Sequence, residues 1–217
     1  MHRARLATAL AMMLLPAVAW AGDQRYEPLA ASVRASMHSA VADRASPRLA
    51  FNSPDEASLW LDDMSERLAK RVPEEQTRRD FLTTVQYESK RAGLDPQLVL
   101  GLIEVESTFR KYAVSKAGAR GYMQVMPFWV ELLGPSDHNL FALRTNLRYG
   151  CVILRYYIDV ERGDLTRALA RYNGSLGKAE YPKRVMQAWQ TRWSWPVTTV
   201  QRASQKVRPM QYMGEAK

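Results

Sequence analysis

The apolar residues of this chain recur at helical spacing and nowhere alternate over a strand-length run, which restricts it to an all-α, mainly helical fold. Local signals mark where the helices begin. Ser53-Pro54-Asp55-Glu56 supplies a capping hydroxyl, a proline at the first helical position and two first-turn acids. Leu59, Trp60, Met64 and Leu68 follow on one face until Pro73 stops the helix. A second helix runs from about Glu74 to Ala92, before Gly93, and Asp95-Pro96 opens a third through Val99, Leu102 and Ile103 to about Ser107. Pro127 to Leu133 reads as a short helix. Thr145 to about Arg162 reads as a long one, with Leu147, Cys151, Leu154 and Ile158 on one face and Gly163 closing it. Asp164 caps a helix that reaches Tyr172-Asn173-Gly174, and a last helix spans roughly Ala179 to Trp193. One core between about residues 51 and 195 accommodates all of these.

The first residues speak of compartment. A basic start, Met1-His2-Arg3-Ala4-Arg5, precedes the uncharged run Leu6 to Leu15, then Pro16 and the small-x-small sequence Ala19-Trp20-Ala21. This predicts a cleavable signal peptide, residues 1–21, since about 10 apolar residues are too few to span a bilayer. The processed chain is therefore expected to have no transmembrane span. Residues 22–94 read as a lead-in and helical extension, 95–195 as the main helical domain and 196–217 as a basic polar tail. Within the lead-in, residues 22–50 are rich in Ala, Ser and Arg and carry no sustained period. Removing Arg3 and Arg5 leaves 29 of 31 basic residues against 22 acidic ones, a charge of +7. An exported basic protein meets a polyanion outside the cytoplasm, such as wall polymer or anionic lipid head groups, so nucleic acid is not an expected partner. The single cysteine, Cys151, excludes an internal disulfide and sits on an apolar helical face as a core residue. Few histidines and no ligand spacing argue against a metal, and no cofactor is expected. His38 and His138 stand without a Ser or Cys signature, which gives nucleophilic hydrolysis no support.

Two acids near the end of the third helix differ in prospect. Glu104 and Glu106 lie about 200° apart around the helix. Below Glu106 on its face are Ile103, Leu102 and Val99, whereas Gly101, Leu100 and Gln97 lie below Glu104. Glu106 thus points toward buried surface, in a last turn where the helix dipole disfavours negative charge. Both effects raise its pKa, as a general acid near neutral pH requires. The competing reading is a surface glutamate paired with Arg110 at i+4. Downstream, Gly118 and Gly121 permit positive φ or close approach, and Tyr122-Met123-Gln124-Val125-Met126-Pro127 follows. Gln124 suits a core only if it finds hydrogen-bond partners, which a bound sugar or the Glu106 carboxyl would supply.

Glu106-Ser107, then Phe109, Ala113 and Ser115, then Gly118-Ala119-Arg120-Gly121-Tyr122-Met123-Gln124-Val125-Met126-Pro127, resembles the lytic transglycosylase domain of the lysozyme-like superfamily, of the soluble Slt type. A second block, Ala170-Arg171-Tyr172-Asn173-Gly174, matches in order. The resemblance covers roughly Asp95 to Trp189. It implies a lysozyme-like all-α domain and a periplasmic monomer acting on peptidoglycan glycan strands without a cofactor. Carried over by residue, Glu106 is the single catalytic acid and base, and Ser107 helps hold the site. Met123 and Gln124 line the sugar cleft, Tyr172 and Asn173 orient acid and substrate, and Tyr181 is a further cleft candidate. Tyr122 stands where the family usually has leucine, and Gly174 follows the asparagine directly; both bear on fine specificity. A hydrolase would need a second carboxylate, for which Asp137, Asp159, Glu161 and Asp164 are the later acids. Asp137 in its irregular loop leaves a lysozyme-type muramidase open, and a catalytically inactive wall-binding accessory is the other alternative.

Overall fold

The computed structural model describes residues 24–42 and 44–195. The signal segment 1–21 and the tail 196–217 lie outside the described residues. The chain forms α1 (Ala31–Ala42), α2 (Pro54–Leu68), α3 (Glu75–Arg91), α4 (Pro96–Ser107), α5 (Phe128–Leu133), α6 (Leu143–Val160), α7 (Leu165–Tyr172) and α8 (Glu180–Gln187), followed by a π-helical turn, Ala188–Arg192. The all-α expectation is met: among the described residues the only β pairing is a pair of isolated bridges, Val114 with Arg120 and Arg120 with Val125. No described helix is long and apolar enough to cross a membrane.

The cap signals work as read. Ser53 Oγ accepts from the Glu56 amide at 3.1 Å and Asp95 Oδ1 accepts from the Gln97 amide at 2.7 Å, each with proline at the next position. At the far end, Asp164 Oδ1 accepts from the Arg167 amide at 2.9 Å to start α7. α6 begins at Leu143, two residues ahead of the expected Thr145, and runs through the middle of the molecule. Every residue from Asn146 to Leu154 is buried, which is possible only for a helix covered on all sides. α1, α3 and α7 pack around it.

Two findings extend the sequence reading. The core is not confined to residues 51–195, because Met37 and Val41 of α1 are buried with it. Val33 and Ala40 of α1 are partly buried against the same core, so positions 33, 37, 40 and 41 form a short stripe at helical spacing that is masked in the sequence by the surrounding Ala, Ser and Arg. Guanidinium groups add to its anchorage. Arg91 donates to the Ala40 carbonyl and Arg148 to Val41, so carbonyls in the last turn of α1 are capped from α3 and α6, and Arg144 of α6 holds the carbonyls of Arg44 and Ala45 just beyond it. All three arginines also pair with the buried Glu88 carboxylate, Arg148 most closely at 2.9 Å. The second finding is the π-helical turn in what the sequence suggested was one helix to Trp193. It lies across Gly101 of α4, where a Cβ would stand 2.9 Å from the Trp189 nitrogen and 3.1 Å from the Val185 oxygen. The absent side chain lets α4 and the C-terminal segment cross at backbone contact.

Candidate active site

α4 carries the acid. Leu98 to Ile103 are buried without a break, so this helix is driven into the core along its length. It ends abruptly: Thr108 and Phe109 are both left-handed, with φ of 53° and 63°. Two consecutive non-glycine residues in this region cost about 1–3 kcal/mol each and persist only when the surroundings fix them. Phe109 is fixed by burial, with its ring 5.9 Å from Phe81 and 5.3 Å from Trp193, and the Arg71 guanidinium lies over it at 5.7 Å. The chain therefore turns away immediately beyond Glu106 and leaves that side chain at a corner.

The two acids of α4 meet opposite fates. Glu104 is neutralised: Arg71 reaches one oxygen at 2.7 Å, while Arg192 at 3.0 Å and the Trp193 indole N–H at 2.7 Å reach the other. Glu106 is 5% exposed and has no such partner set. Tyr181 donates its hydroxyl to Glu106 Oε1 at 2.5 Å, and the buried Oε2 accepts nothing. Burial pushes the Glu106 pKa from 4.5 up to about 8, against the opposing pull of the Tyr181 hydrogen bond and the Arg184 charge. The expected competitor, an ion pair with Arg110, is not what that arginine does; its Nε donates to the Ser107 carbonyl at 3.0 Å. A carboxyl group with this pKa is mostly protonated at neutral pH and has one oxygen free to act.

The loop after α4 is a knot of turns. Gly118 and Gly121 both take positive φ, 90° and 76°, as expected of them. Arg120 and Val125 exchange amide–carbonyl hydrogen bonds at 2.9 and 3.0 Å, and the Gly121 amide donates to the Ala113 carbonyl at 2.9 Å. Gln124, itself at φ 49°, is buried with its Nε2 donating to the carbonyls of Ala113 (3.1 Å) and Gly121 (2.9 Å). Its partners are thus the loop's own backbone, not the Glu106 carboxyl.

Met123 is fully buried against α6: a Cβ on Gly150 would meet its Sδ at 2.4 Å and its own Cβ at 2.7 Å. Met126, three residues on, is the partly exposed methionine of the pair. Ser107 is buried and donates its hydroxyl to the Ile103 carbonyl at 3.2 Å, one turn back. Tyr172 does not reach the acid; its hydroxyl donates to the Met123 carbonyl at 2.7 Å and so braces the loop. Its own pKa is raised by burial and by the nearby Glu106 charge. Asn173 is buried at the end of α7, where its amide donates to the Leu169 carbonyl at 3.1 Å. Tyr181, from α8, is the residue that meets the carboxyl.

Sequence reasoning missed Asn146. Its Oδ1 accepts from the Met123 amide at 2.8 Å, and its Nδ2 donates to the carbonyls of Arg120 (2.8 Å) and Leu140 (2.9 Å). One α6 side chain thereby ties the loop at two points to the helix and to the segment before it. The only signal for it was a polar residue on an otherwise apolar face. Gly121 must be glycine for the same reason, since a Cβ there would lie 2.4 Å from Asn146 Nδ2. His138 is engaged with the Tyr149 hydroxyl at 2.9 Å, and Cys151 is buried with its thiol pKa pushed up, as befits a core residue. Among the described residues no group of three or more His, Cys, Asp or Glu gathers as a metal site would.

Residues 83–192 match the family described as the Transglycosylase SLT domain. The match opens inside α3, ahead of the Asp95 at which the sequence motifs suggested a start. Over 110 residues the chain is 34% identical to a transglycosylase of Enterobacteria phage PRD1, covering 48% of this chain and 40% of that protein. Over 49 residues it is 53% identical to membrane-bound lytic murein transglycosylase C of Actinobacillus pleuropneumoniae serotype 5b, covering 23% of this chain and 13% of that one. The corresponding protein of Haemophilus influenzae strain PittEE is 43% identical over 49 residues. The chain thus spans less than half the length of these relatives. With its helical architecture and a family match over half its length, the chain belongs to the Transglycosylase SLT domain family.

Proposed function

We propose that this chain is a periplasmic peptidoglycan lytic transglycosylase that cuts the β-1,4 bond between N-acetylmuramic acid and N-acetylglucosamine. The observation that carries the reading is the Glu106 carboxyl: buried, pKa raised to about 8, one oxygen held by Tyr181 and the other without a partner. A single group of this kind serves both halves of a transglycosylase cycle. Glu106 gives its proton to the glycosidic oxygen as the C1–O bond breaks, and the neighbouring N-acetyl group stabilises the positive charge at C1. The carboxylate then takes the proton of the C6 hydroxyl as O6 closes onto C1. The product is a 1,6-anhydromuramyl end, Glu106 regains its proton, and no water is consumed.

The later acids support a one-carboxylate mechanism over a hydrolase. Asp159 is exposed and paired with Arg155, Glu161 is held by Arg167 and Arg171, and Asp164 is the α7 cap. Asp137 is exposed on its loop. In the proposed site Gln124, Tyr172 and Asn173 position the loop and helix ends around the cleft, Ser107 and Met123 hold them from the core side, and Tyr181 sets the acid. The test is mass spectrometry of the fragments released from purified wall. Wild type should yield ends one water lighter than hydrolysis products, and Glu106→Gln should yield none. Hydrated ends, or unchanged release by Glu106→Gln, would overturn the assignment.

A further inference from the structure

A second pocket, of about 190 Å³, opens at the end of α4 opposite to Glu106. Gln97, which lines it, and Glu106 are nine positions apart, about 14 Å along the helix. Four other parts of the chain complete it: Phe51 and Asn52 ahead of α2, Glu56 in the first turn of α2, Lys90 near the end of α3, and Trp195. The walls are fixed by contacts made behind them. The Ala50 amide and carbonyl are both held by the buried Gln86 side chain, at 3.0 and 2.8 Å, and the Phe51 ring lies 5.6 Å from Trp60. On the C-terminal side, Arg67 donates to the carbonyls of Arg192 at 3.1 Å and Ser194 at 2.9 Å, which sets Trp195 in place. The pocket is therefore preformed, and a ligand entering it has little left to order.

Its polar side chains are ones that the fold leaves unused. Asn52, Glu56, Lys90 and Gln97 all line it, and among the described residues none of these side chains has a hydrogen-bond or ion-pair partner. Trp195 lines it too, and its indole N–H is buried without an acceptor. Other acids of α2 and α3 are paired, Asp63 with Arg67 and both Asp62 and Glu75 with Arg79. A carboxylate and an ammonium that share a pocket without pairing make opposite demands. An anion is drawn to Lys90 and repelled by Glu56, and a cation the reverse. A molecule that carries both charges satisfies both, with the Asn52 and Gln97 carboxamides free to donate and accept beside them. The volume falls below the about 300–1,000 Å³ of sites for larger ligands, so the pocket suits one small head group and not a run of sugar rings.

We propose that this pocket binds an α-amino-acid head group, its ammonium at Glu56 and its carboxylate at Lys90, carried either by a free amino acid or by the end of a wall peptide. The test is calorimetric titration of the full chain with three compounds: meso-diaminopimelate, pimelate, which lacks the ammonium groups, and cadaverine, which lacks the carboxylates. Only diaminopimelate should bind, and Glu56→Gln and Lys90→Met should each weaken it about tenfold, the loss of one charge-assisted hydrogen bond. Equal binding of all three compounds, no binding of diaminopimelate, or full affinity in both variants would overturn the proposal. The compound series is read on the unmodified chain and so decides even where a variant fails to fold. Retention on purified wall separates the two sources. Weaker retention of Lys90→Met on peptide-bearing wall, with no difference on glycan stripped of its peptides, assigns the head group to the wall peptide. Diaminopimelate binding with equal retention on both materials assigns it to a free amino acid. The site goes beyond the glycan-cleaving reading, and both variants should release anhydro products from stripped glycan at the wild-type rate. Hydrated or absent products from the unmodified chain would defeat that reading and leave the calorimetry standing.

Discussion

Holding a carboxyl group at a pKa of about 8 should cost the fold stability, and Glu106→Gln measures how much. In the unfolded chain Glu106 ionises at its ordinary 4.5, and in the folded protein at about 8. Below pH 4.5 both states carry the proton and the residue is neutral in the balance. Between those values the unfolded state has lost its proton and the native state has kept it. Stability therefore falls as pH rises, by ~1.4 kcal/mol per pH unit, until the native carboxyl ionises as well. By pH 8 the accumulated loss is about 4 kcal/mol, and about 3.5 kcal/mol of it develops above pH 5. Glutamine keeps an acceptor for Tyr181 and does not titrate, but its NH2 group falls where Oε2 has no partner, a cost of ~1–3 kcal/mol at every pH. Glu106→Gln should consequently be no more stable than wild type at pH 5 and clearly more stable at pH 8. Thermal melts across that range should show the difference in Tm between the two proteins changing by about 10 °C, at ~2–4 °C per kcal/mol for a chain of this size. A difference that stays constant from pH 5 to pH 8 would mean that Glu106 titrates like a solvated glutamate, and the proton store at the centre of the proposed mechanism would be gone.

Tyr181→Phe removes the donor that lowers the Glu106 pKa, so the alkaline limb of the kcat/KM profile should move to higher pH by ~1–2 units. A limb that stays in place would show that the 2.5 Å hydrogen bond does not act on the acid. Asn146→Ala leaves the Met123 amide and the carbonyls of Arg120 and Leu140 without their partner and should cost about 3 kcal/mol or more in denaturant unfolding. A loss below ~1 kcal/mol would remove Asn146 as the tie between loop and helix.

That Glu106 rather than Glu104 turns toward buried surface was legible because it depends only on helical rotation and on the residues one turn back. The positive φ at Gly118 and Gly121 was legible for the same kind of local reason. What the sequence could not convey were contacts between distant segments. Nothing near Tyr181 in sequence says that its hydroxyl meets Glu106, 75 positions away. Met123 is buried rather than open because Gly150 gives it room, and that fit exists only once α6 lies against the loop. Tyr172 braces the Met123 carbonyl and not the acid, although the motif order alone is equally compatible with either. α1 escaped because its apolar stripe is short and set among Ala, Ser and Arg, and because three arginines from elsewhere complete its attachment. Nothing in the sequence marks Gly101 as a crossing point, and its role became visible only with the C-terminal turn laid across it.

That crossing has a consequence for the order in which the proposed site is completed. Glu106 is covered by α8, and α8 belongs to the last stretch of the described chain to be synthesised. Until that stretch docks over Gly101, the carboxyl lacks the part of its burial that α8 supplies, and its hold on a proton at neutral pH is expected to be weaker. On the proposed reading, an unfinished, partly folded or C-terminally clipped molecule should therefore be inert toward glycan even though every residue of its first motif is present. The final docking step takes up a proton from solution, and that uptake is the moment at which the proposed activity switches on.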